Sequence, residues 1–147
     1  DANLGRLIDA GYRTATVAKL IEQANGSLDL KSDEVRPRYE MGVRLYLQAL
    51  YRVIFMGAEN SVGFHNPEEG ERILTDASRY ATEAEQVLRE LLAANGISVP
   101  AEVPLELGTY LSGRGERKLG FVQAHHIPDP TGQAQESWPE SLGALLR

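Results

Sequence analysis

The chain opens with a segment in which apolar residues recur at helical spacing. This segment runs from about Leu4 to Ala24, and Asn25-Gly26 follows it as a helix stop. The apolar positions that keep the helical period are Leu4, Leu7, Ile8, Ala15, Ala18 and Ile21. The pattern therefore predicts a first long helix over this range.

A second segment, from about Pro37 to Ala58, predicts a helix with an unusually narrow polar strip. Its polar residues stand four apart, at Arg36, Glu40, Arg44, Gln48 and Arg52. Apolar residues flank the strip: Tyr39, Val43, Tyr46, Leu47, Leu50 and Ile54 on one side, and Met41, Leu45, Ala49 and Val53 on the other. A helix of this kind is usually buried on both flanks, so we expect one flank to pack against a partner. The alternative is a self-contained antiparallel bundle, in which the first helix and the tail cover both flanks.

The third segment has the clearest helix boundaries in the chain. Asn66 can serve as the N-cap, Pro67 suits the first helical position, and Glu69 stands three residues after the cap, as in a capping box. Asn95-Gly96 supplies the stop. Between these signals one broad apolar face is formed by Ile73, Leu74, Ala77, Tyr80, Ala81, Ala84, Val87, Leu88, Leu91 and Leu92. A long amphipathic helix is predicted here.

Prolines and glycines recur between residues 98 and 135, which favours an extended segment that lies on a surface. A short helix is expected at about Glu140 to Leu146. The sequence thus predicts an all-α protein in which long antiparallel helices form a helical hairpin or bundle. We place the bundle at residues 1–97 and an extended, irregular tail at residues 98–147.

Composition and charge exclude several kinds of site. The net charge of −6 argues against nucleic-acid binding, which depends on clustered Lys and Arg. The chain has no cysteine, which excludes thiol catalysis, disulfides and attachment of haem through a Cys-x-x-Cys-His motif of its own. No apolar run approaches the roughly 18 residues of a membrane-spanning helix.

The segment between the second and third helices carries a specific motif. It reads Glu-Asn-Ser-Val-Gly-Phe-His-Asn-Pro-Glu-Glu-Gly-Glu-Arg-Ile-Leu over residues 59–74. It resembles the C-terminal helical region of multihaem c-type cytochromes, namely the pentahaem ammonia-forming nitrite reductases and their octahaem relatives. In these proteins a long helix ends in Ser-x-Gly-x-His-x-Pro-Glu-Glu and a second long helix follows. The matching positions are Ser61, Gly63, His65, Pro67, Glu68, Glu69, Gly70, Arg72 and Leu74. The resemblance covers about Arg38 to Ile97.

The resemblance implies that His65 is a distal axial ligand to a haem iron, because the histidine of the motif has that role in the family. It also implies a multihaem cytochrome c chain as partner, in a homo- or hetero-oligomer, and a periplasmic or extracellular location. Since this chain has no cysteine, the haem c must be attached to another chain or to a part of the polypeptide outside this sequence. The catalytic residues of the nitrite reductases lie in the haem-bearing region, so no catalytic residue is assigned.

The residues alone leave the role of each histidine open. His65 is either a haem ligand or a partly buried histidine that completes a tight turn between helices. Gly70 offers no side chain to hold the ring of His65, and a glycine inside a helix is compatible with the close approach of a porphyrin edge. His125 and His126 form either an exposed or interface pair, or include a second haem or metal ligand, for which His126 is the candidate. The pair lacks the spacing of a closed zinc site.

Three functional hypotheses follow. The chain is a haem-partner subunit that supports electron transfer, a haem-free helical module for assembly or dimerisation, or the C-terminal part of a complete multihaem reductase. The first two differ in whether His65 contacts iron. The third requires a covalent haem region upstream of Asp1. For Tyr39, Tyr46 and Tyr51, packing in the core or at an interface is favoured over a redox role.

Overall fold

The computed structural model describes residues 2–58 and 66–105, which contain three α-helices. They are α1 (Ala2–Ser27), α2 (Arg36–Ala58) and α3 (Pro67–Ala94). The predicted all-α fold is confirmed. The helices cover the predicted ranges with small extensions, the largest at the two ends of α1. The helix predicted near residues 140–146 lies outside the described residues.

The described helices run up, down and up. The side-chain amide of Asn3 donates to the carbonyl oxygen of Pro67 at 3.2 Å, so α1 and α3 begin side by side. The hydroxyl of Tyr39 donates to Oδ1 of Asn25 at 3.0 Å, so α2 begins where α1 ends. Helices α1 and α3 are therefore parallel, and α2 is antiparallel to both. We call the end at which α1 and α3 begin the N-terminal end of the bundle.

Two apolar clusters hold the helices together. The larger consists of Val17, Leu20, Ala24, Ala49, Ala81, Ala84, Leu88 and Leu92, all of them fully buried. The smaller lies towards the N-terminal end of the bundle and consists of Ala10, Met56, Leu74 and Ala77. Each cluster draws residues from all three helices, so each helix loses apolar contacts if another is displaced.

Small residues set the distance between α2 and α3. A Cβ atom on Gly42 would lie 2.8 Å from Cδ2 of Leu88, whose side chain is fully buried. The short side chains of Ala77, Ala81 and Ala84 likewise allow a close approach where α3 packs against the other helices. Gly42 therefore permits a close helix crossing that a larger residue would obstruct.

The chain leaves α3 in a compact turn and then lies against the bundle. Gly96 has a φ of 75°, and the amide of Ile97 donates to the carbonyl oxygen of Leu92 at 3.0 Å, which is the pattern of a Schellman cap. Arg89 then donates to the carbonyl oxygens of Pro100 and Ala101 at 2.8 and 2.9 Å. Ile97, Val99 and Val103 pack against the larger cluster. The compact unit that contains the helices extends to Leu105.

One side of α2 is left uncovered by the described residues. Gly42, Ala49 and Met56 are buried, whereas the large apolar residues Met41, Tyr51, Ile54 and Phe55 are exposed. Helix α1 also exposes apolar residues, namely Leu4, Ile8 and Tyr12. Within residues 2–58 and 66–105, the exposed side of α2 also includes Arg44 and Gln48 of the predicted polar strip. The expectation that one apolar flank packs against a partner stays a prediction.

The helix crossing at Gly42 can be tested by substitution. We expect Gly42→Ala to lower the free energy of unfolding by about 1 kcal/mol, because the cost of overpacking against Leu88 exceeds the gain in helix propensity. Gly11→Ala is the matched control, since nothing lies within 4 Å of a Cβ atom at Gly11. This control should stabilise the protein by about 0.5–1 kcal/mol. Urea denaturation measures both, and an equal stabilisation by both substitutions would contradict the close crossing.

Candidate functional site

The three histidines, His65, His125 and His126, lie outside the described residues. The ligand roles suggested for His65 and His126 therefore stay predictions. What the structure does describe is the residue that follows His65 and the helix that begins there. The position of Asn66 is fixed by several contacts.

Asn66 caps α3, as predicted. Its side-chain oxygen accepts a hydrogen bond from the amide of Glu69 at 3.2 Å, and its carbonyl oxygen accepts one from the amide of Gly70 at 3.0 Å. Pro67 occupies the first turn, where its missing N–H has no cost. The main chain immediately after His65 is therefore held by the first turn of a long helix.

The second half of the predicted capping box is not formed in the described part of the chain. The carboxylate of Glu69 pairs with Arg72, whose Nε donates to Oε2 at 2.9 Å and whose Nη2 donates to Oε1. This pairing lowers the pKa of Glu69, since a hydrogen-bonded guanidinium favours the charged carboxylate. Glu69 thus supports the first turn through a side-chain ion pair and through its favourable position at the positive end of the helix.

Helix α1 also contacts the first turn of α3. Asn3 is buried and donates to the carbonyl oxygen of Pro67, and Arg6 forms an ion pair with Glu71 at 2.7 Å. Below them, Met56 from the end of α2 and Leu74 from α3 share the smaller apolar cluster. Segment 59–65, which contains His65, therefore joins two helix ends that are both anchored at the N-terminal end of the bundle.

Gly70 lies on the buried side of α3. It is buried and begins the row of α3 that continues with Leu74, Ala77 and Ala81 towards the other helices.

A second arrangement of side chains was not anticipated from the sequence. The guanidinium groups of Arg52 and Arg79 lie 4.7 and 4.3 Å from the ring centroid of Tyr80. These distances are within the range of cation–π contacts. Arg79 is also paired with Asp76 and Glu83. The residues lie on two helices and at no recognisable sequence spacing, so only the packing of α2 on α3 reveals the contact.

Comparison with known families adds an independent finding. Residues 3–141 match the cytochrome c552 family. The chain belongs to that family. The cytochrome c552 family comprises multihaem c-type cytochromes and includes nitrite reductase, which confirms the resemblance drawn from the motif at residues 61–74. No curated protein matches the sequence.

Membership of the cytochrome c552 family implies haem c as cofactor and electron transfer as the general role. Proteins of the family are typically periplasmic. In the described part of the chain, no helix combines the length and the apolar character needed to cross a membrane.

The described residues offer no histidine or cysteine as a haem-iron ligand. Residues 2–58 and 66–105 contain neither His nor Cys, and they contain no cluster of three His, Cys, Asp or Glu residues that could hold a metal ion. Met56 is buried within the smaller cluster, so its sulfur is not accessible to a haem iron. Met41 is exposed but lies in the first turns of α2, away from the N-terminal end of the bundle. His65 stays the predicted ligand, on the strength of the motif at residues 61–74.

The cap at Asn66 predicts a measurable loss of stability. Asn66→Ala should lower the free energy of unfolding by about 1 kcal/mol, because the amide of Glu69 loses its acceptor. Asn66→Asp is the matched control, since it keeps the acceptor and adds a charge that suits the helix N-terminus. Thermal or urea unfolding checks the pair. Equal losses in the two variants would show that the side-chain cap does not stabilise α3.

The pairing of Glu69 with Arg72 predicts a pH dependence. The pKa of Glu69 is lowered in the folded chain, so the stabilisation is present above the ordinary carboxyl pKa and is lost as pH falls through the lowered value. Arg72→Ala should raise the pKa of Glu69 towards its usual range. NMR titration of the Glu69 carboxyl carbon measures this shift, with Arg79→Ala as a control that leaves Glu69 unchanged. A pKa that stays low in Arg72→Ala would contradict the assigned cause.

Proposed function

We propose that this chain supplies His65 as a distal axial ligand to a haem c held covalently by another chain or by a part of the polypeptide outside this sequence. In this proposal the chain also contributes a helical interface to a multihaem cytochrome c assembly in the periplasm or outside the cell. The observation that carries the proposal is the Ser61–Leu74 motif, which stands within a chain matched to the cytochrome c552 family over residues 3–141.

The fixed position of Asn66 supports this role. An iron ligand has to keep its orientation in both oxidation states, and ligating histidines depend on neighbouring groups that hold them. The residue after His65 is held by the α3 cap and by the bond from Asn3 to the adjacent Pro67. The main chain next to the proposed ligand therefore has little freedom to move.

Exposed apolar residues at the same end of the bundle also favour a haem neighbour. Leu4 and Ile8 are 46 and 51% exposed, and Leu4 is adjacent to Asn3, which contacts the start of α3. When bound, the haem iron carries single electrons, and its axial ligand and apolar surroundings set its reduction potential. In the proposed assembly, His65 would provide the ligand, and this apolar surface would help to exclude water.

The main alternative is a helical assembly module of the same family that binds no haem. The uncovered flank of α2, with Tyr51 and Phe55 exposed, favours this alternative as much as it favours a haem-partner subunit. A third possibility is that the chain is the C-terminal part of a complete multihaem reductase, which would make the parent protein an enzyme. These possibilities differ in what His65 contacts and in which polypeptide carries the porphyrin.

The test is a visible spectrum of the natively purified assembly that compares wild type, His65→Ala and His126→Ala. Denaturing-gel haem staining identifies the polypeptide that carries the porphyrin. We expect His65→Ala to convert a low-spin, six-coordinate signal into a high-spin signal, because the iron loses one axial ligand. Added imidazole should restore the low-spin signal. Far-UV circular dichroism verifies that the helices remain folded.

The His126→Ala variant serves as the matched histidine control. A spectral change confined to His65→Ala supports His65 as the ligand. An unchanged spectrum and an unchanged reduction potential in His65→Ala favour the haem-free assembly module instead. A spectral change confined to His126→Ala would indicate that His126, and not His65, is the ligand. Staining of only a second polypeptide identifies the ligand as one supplied to another chain.

A further inference from the structure

The two Asn-Gly pairs that mark helix ends are also chemically labile. Asn25 and Asn95 are each followed by glycine, and all four residues are exposed. Asparagine is a labile residue because the main-chain nitrogen of the next residue can attack its side-chain carbonyl carbon. A following glycine has no Cβ atom and leaves that nitrogen open to reaction. Asn66 is exposed as well, but the nitrogen of Pro67 carries no proton to lose.

The turn at Asn95 is held by local contacts. Asn95 follows the last residue of α3, and its side-chain amide donates to the carbonyl oxygen of Leu91 at 2.8 Å. The main-chain amide of Gly96 donates to the carbonyl oxygen of Ala93 at 3.0 Å. Within the described residues, each hydrogen bond given by Asn95 and Gly96 has its acceptor in the last turn of α3. Because helix ends fray, one local opening frees both reacting groups.

The turn at Asn25 is held more firmly. Gly26 lies inside α1, which continues to Ser27, so the amide of Gly26 belongs to the hydrogen-bond ladder of the helix. The side-chain oxygen of Asn25 accepts a hydrogen bond from the hydroxyl of Tyr39 at 3.0 Å, which ties this side chain to α2. Reaction at Asn25 therefore requires the end of α1 to unwind and a contact between two helices to break.

We propose that Asn95 is a site of spontaneous covalent modification, at which deamidation loosens the end of α3. The main-chain nitrogen of Gly96 forms a bond to the side-chain carbonyl carbon of Asn95. The bond from that carbon to the side-chain nitrogen breaks, and this nitrogen leaves as ammonia with the proton of the Gly96 amide. Water then opens the cyclic imide at either of its carbonyl carbons and leaves aspartate or isoaspartate. The reaction is neither an oxidation nor a reduction.

The new carboxylate weakens the cap of α3. The side-chain amide of Asn95 is the donor to Leu91, and a carboxylate has no proton to donate. The carboxylate also lies beside the free carbonyl oxygens at the negative end of the helix dipole. The last turn of α3 has no basic residue that offsets this charge. Deamidation thus removes a hydrogen bond and adds an electrostatic repulsion at the same place.

The cap of α3 anchors the segment that follows it. The amide of Ile97 donates to the carbonyl oxygen of Leu92 at 3.0 Å, so Ile97 is held in the same turn. Ile97, Val99 and Val103 then pack against the larger apolar cluster. A weakened cap, or a main chain that isoaspartate has lengthened by one carbon, displaces Ile97 from this position. The modification therefore loosens residues 97–105.

Mass spectrometry of the aged chain tests the site. The full chain is incubated in mildly alkaline buffer made with heavy-oxygen water, with and without urea, and is then digested so that each asparagine is measured separately. In urea we expect Asn25 and Asn95 to react at similar rates, because both precede glycine. In the folded chain we expect Asn95 to react several-fold faster than Asn25. Equal rates, a faster Asn25, or no reaction in the folded chain would overturn the proposal.

Two variants verify the assigned causes. Asn95→Gln should remove the reaction at position 95 and leave Asn25 unchanged, because the longer side chain does not form the five-membered ring. Tyr39→Phe removes the hydrogen bond to Asn25 and should accelerate the reaction at Asn25 alone. An acceleration of both sites by Tyr39→Phe would instead indicate a general loss of folding, which far-UV circular dichroism measures independently.

The consequence for α3 is tested with Asn95→Asp, which reproduces one of the two products. We expect this substitution to lower the Tm of the full chain by roughly 4 °C. Asn25→Asp is the matched control and should lower the Tm less, because aspartate still accepts the hydrogen bond from Tyr39. Equal losses of Tm in the two variants would contradict the proposed weakening of the α3 cap.

A single cysteine measures the loosening of residues 97–105, since the chain has no cysteine of its own. Val103→Cys is treated with a thiol reagent, alone and combined with Asn95→Asp or Asn25→Asp. The rate of thiol reaction should rise several-fold with Asn95→Asp and stay unchanged with Asn25→Asp. An unchanged rate with Asn95→Asp would overturn the proposed effect on the segment. These experiments use the chain without haem, so their outcome is independent of the proposed role of His65.

Discussion

The close approach of α3 to its two neighbours is the constraint on which the described fold depends. The inward row of α3 is built from Ala77, Ala81 and Ala84 between larger leucines, and α2 meets it with Gly42 against Leu88. Small residues bring the helix backbones together and leave the leucines to fill the space between them. Both apolar clusters include this row, so the positions of α1 and α2 follow from it.

This packing fixes the N-terminal end of the bundle, where the described residues 66–74 of the motif begin α3. Met56 in the last turn of α2 is buried in the smaller cluster, and α3 begins at Pro67, whose carbonyl oxygen accepts the hydrogen bond from Asn3. The segment that contains His65 is therefore attached at both sides to the same rigid end.

The sequence was most informative where local chemistry determines local structure. Asn66 and Gly96 mark the two ends of α3 because capping depends on a few neighbouring residues. The partner of Glu69 could not be obtained in this way, because it depends on the competing side chain of Arg72.

The motif around His65 identified the family correctly, but over a shorter range than the match at residues 3–141. A motif is recognised from a few residue types at fixed spacing, whereas the rest of a helical region resembles many other amphipathic helices. The exposed side of α2 combines Arg44 and Gln48 of the predicted polar strip with Met41, Tyr51 and Phe55, and it could be identified only once α1 and α3 were in place.

The odd number of described helices has an electrostatic consequence. Two helix N-termini and one C-terminus meet at the N-terminal end of the bundle, so the backbone dipoles leave that end with a net partial charge of about +0.5. Glu68 and Glu69 stand in the first turn of α3 and offset part of it, although Glu69 is already paired with Arg72. The backbone dipoles of the described helices therefore favour negative charge at this end and positive charge at the opposite end, within about one turn of each.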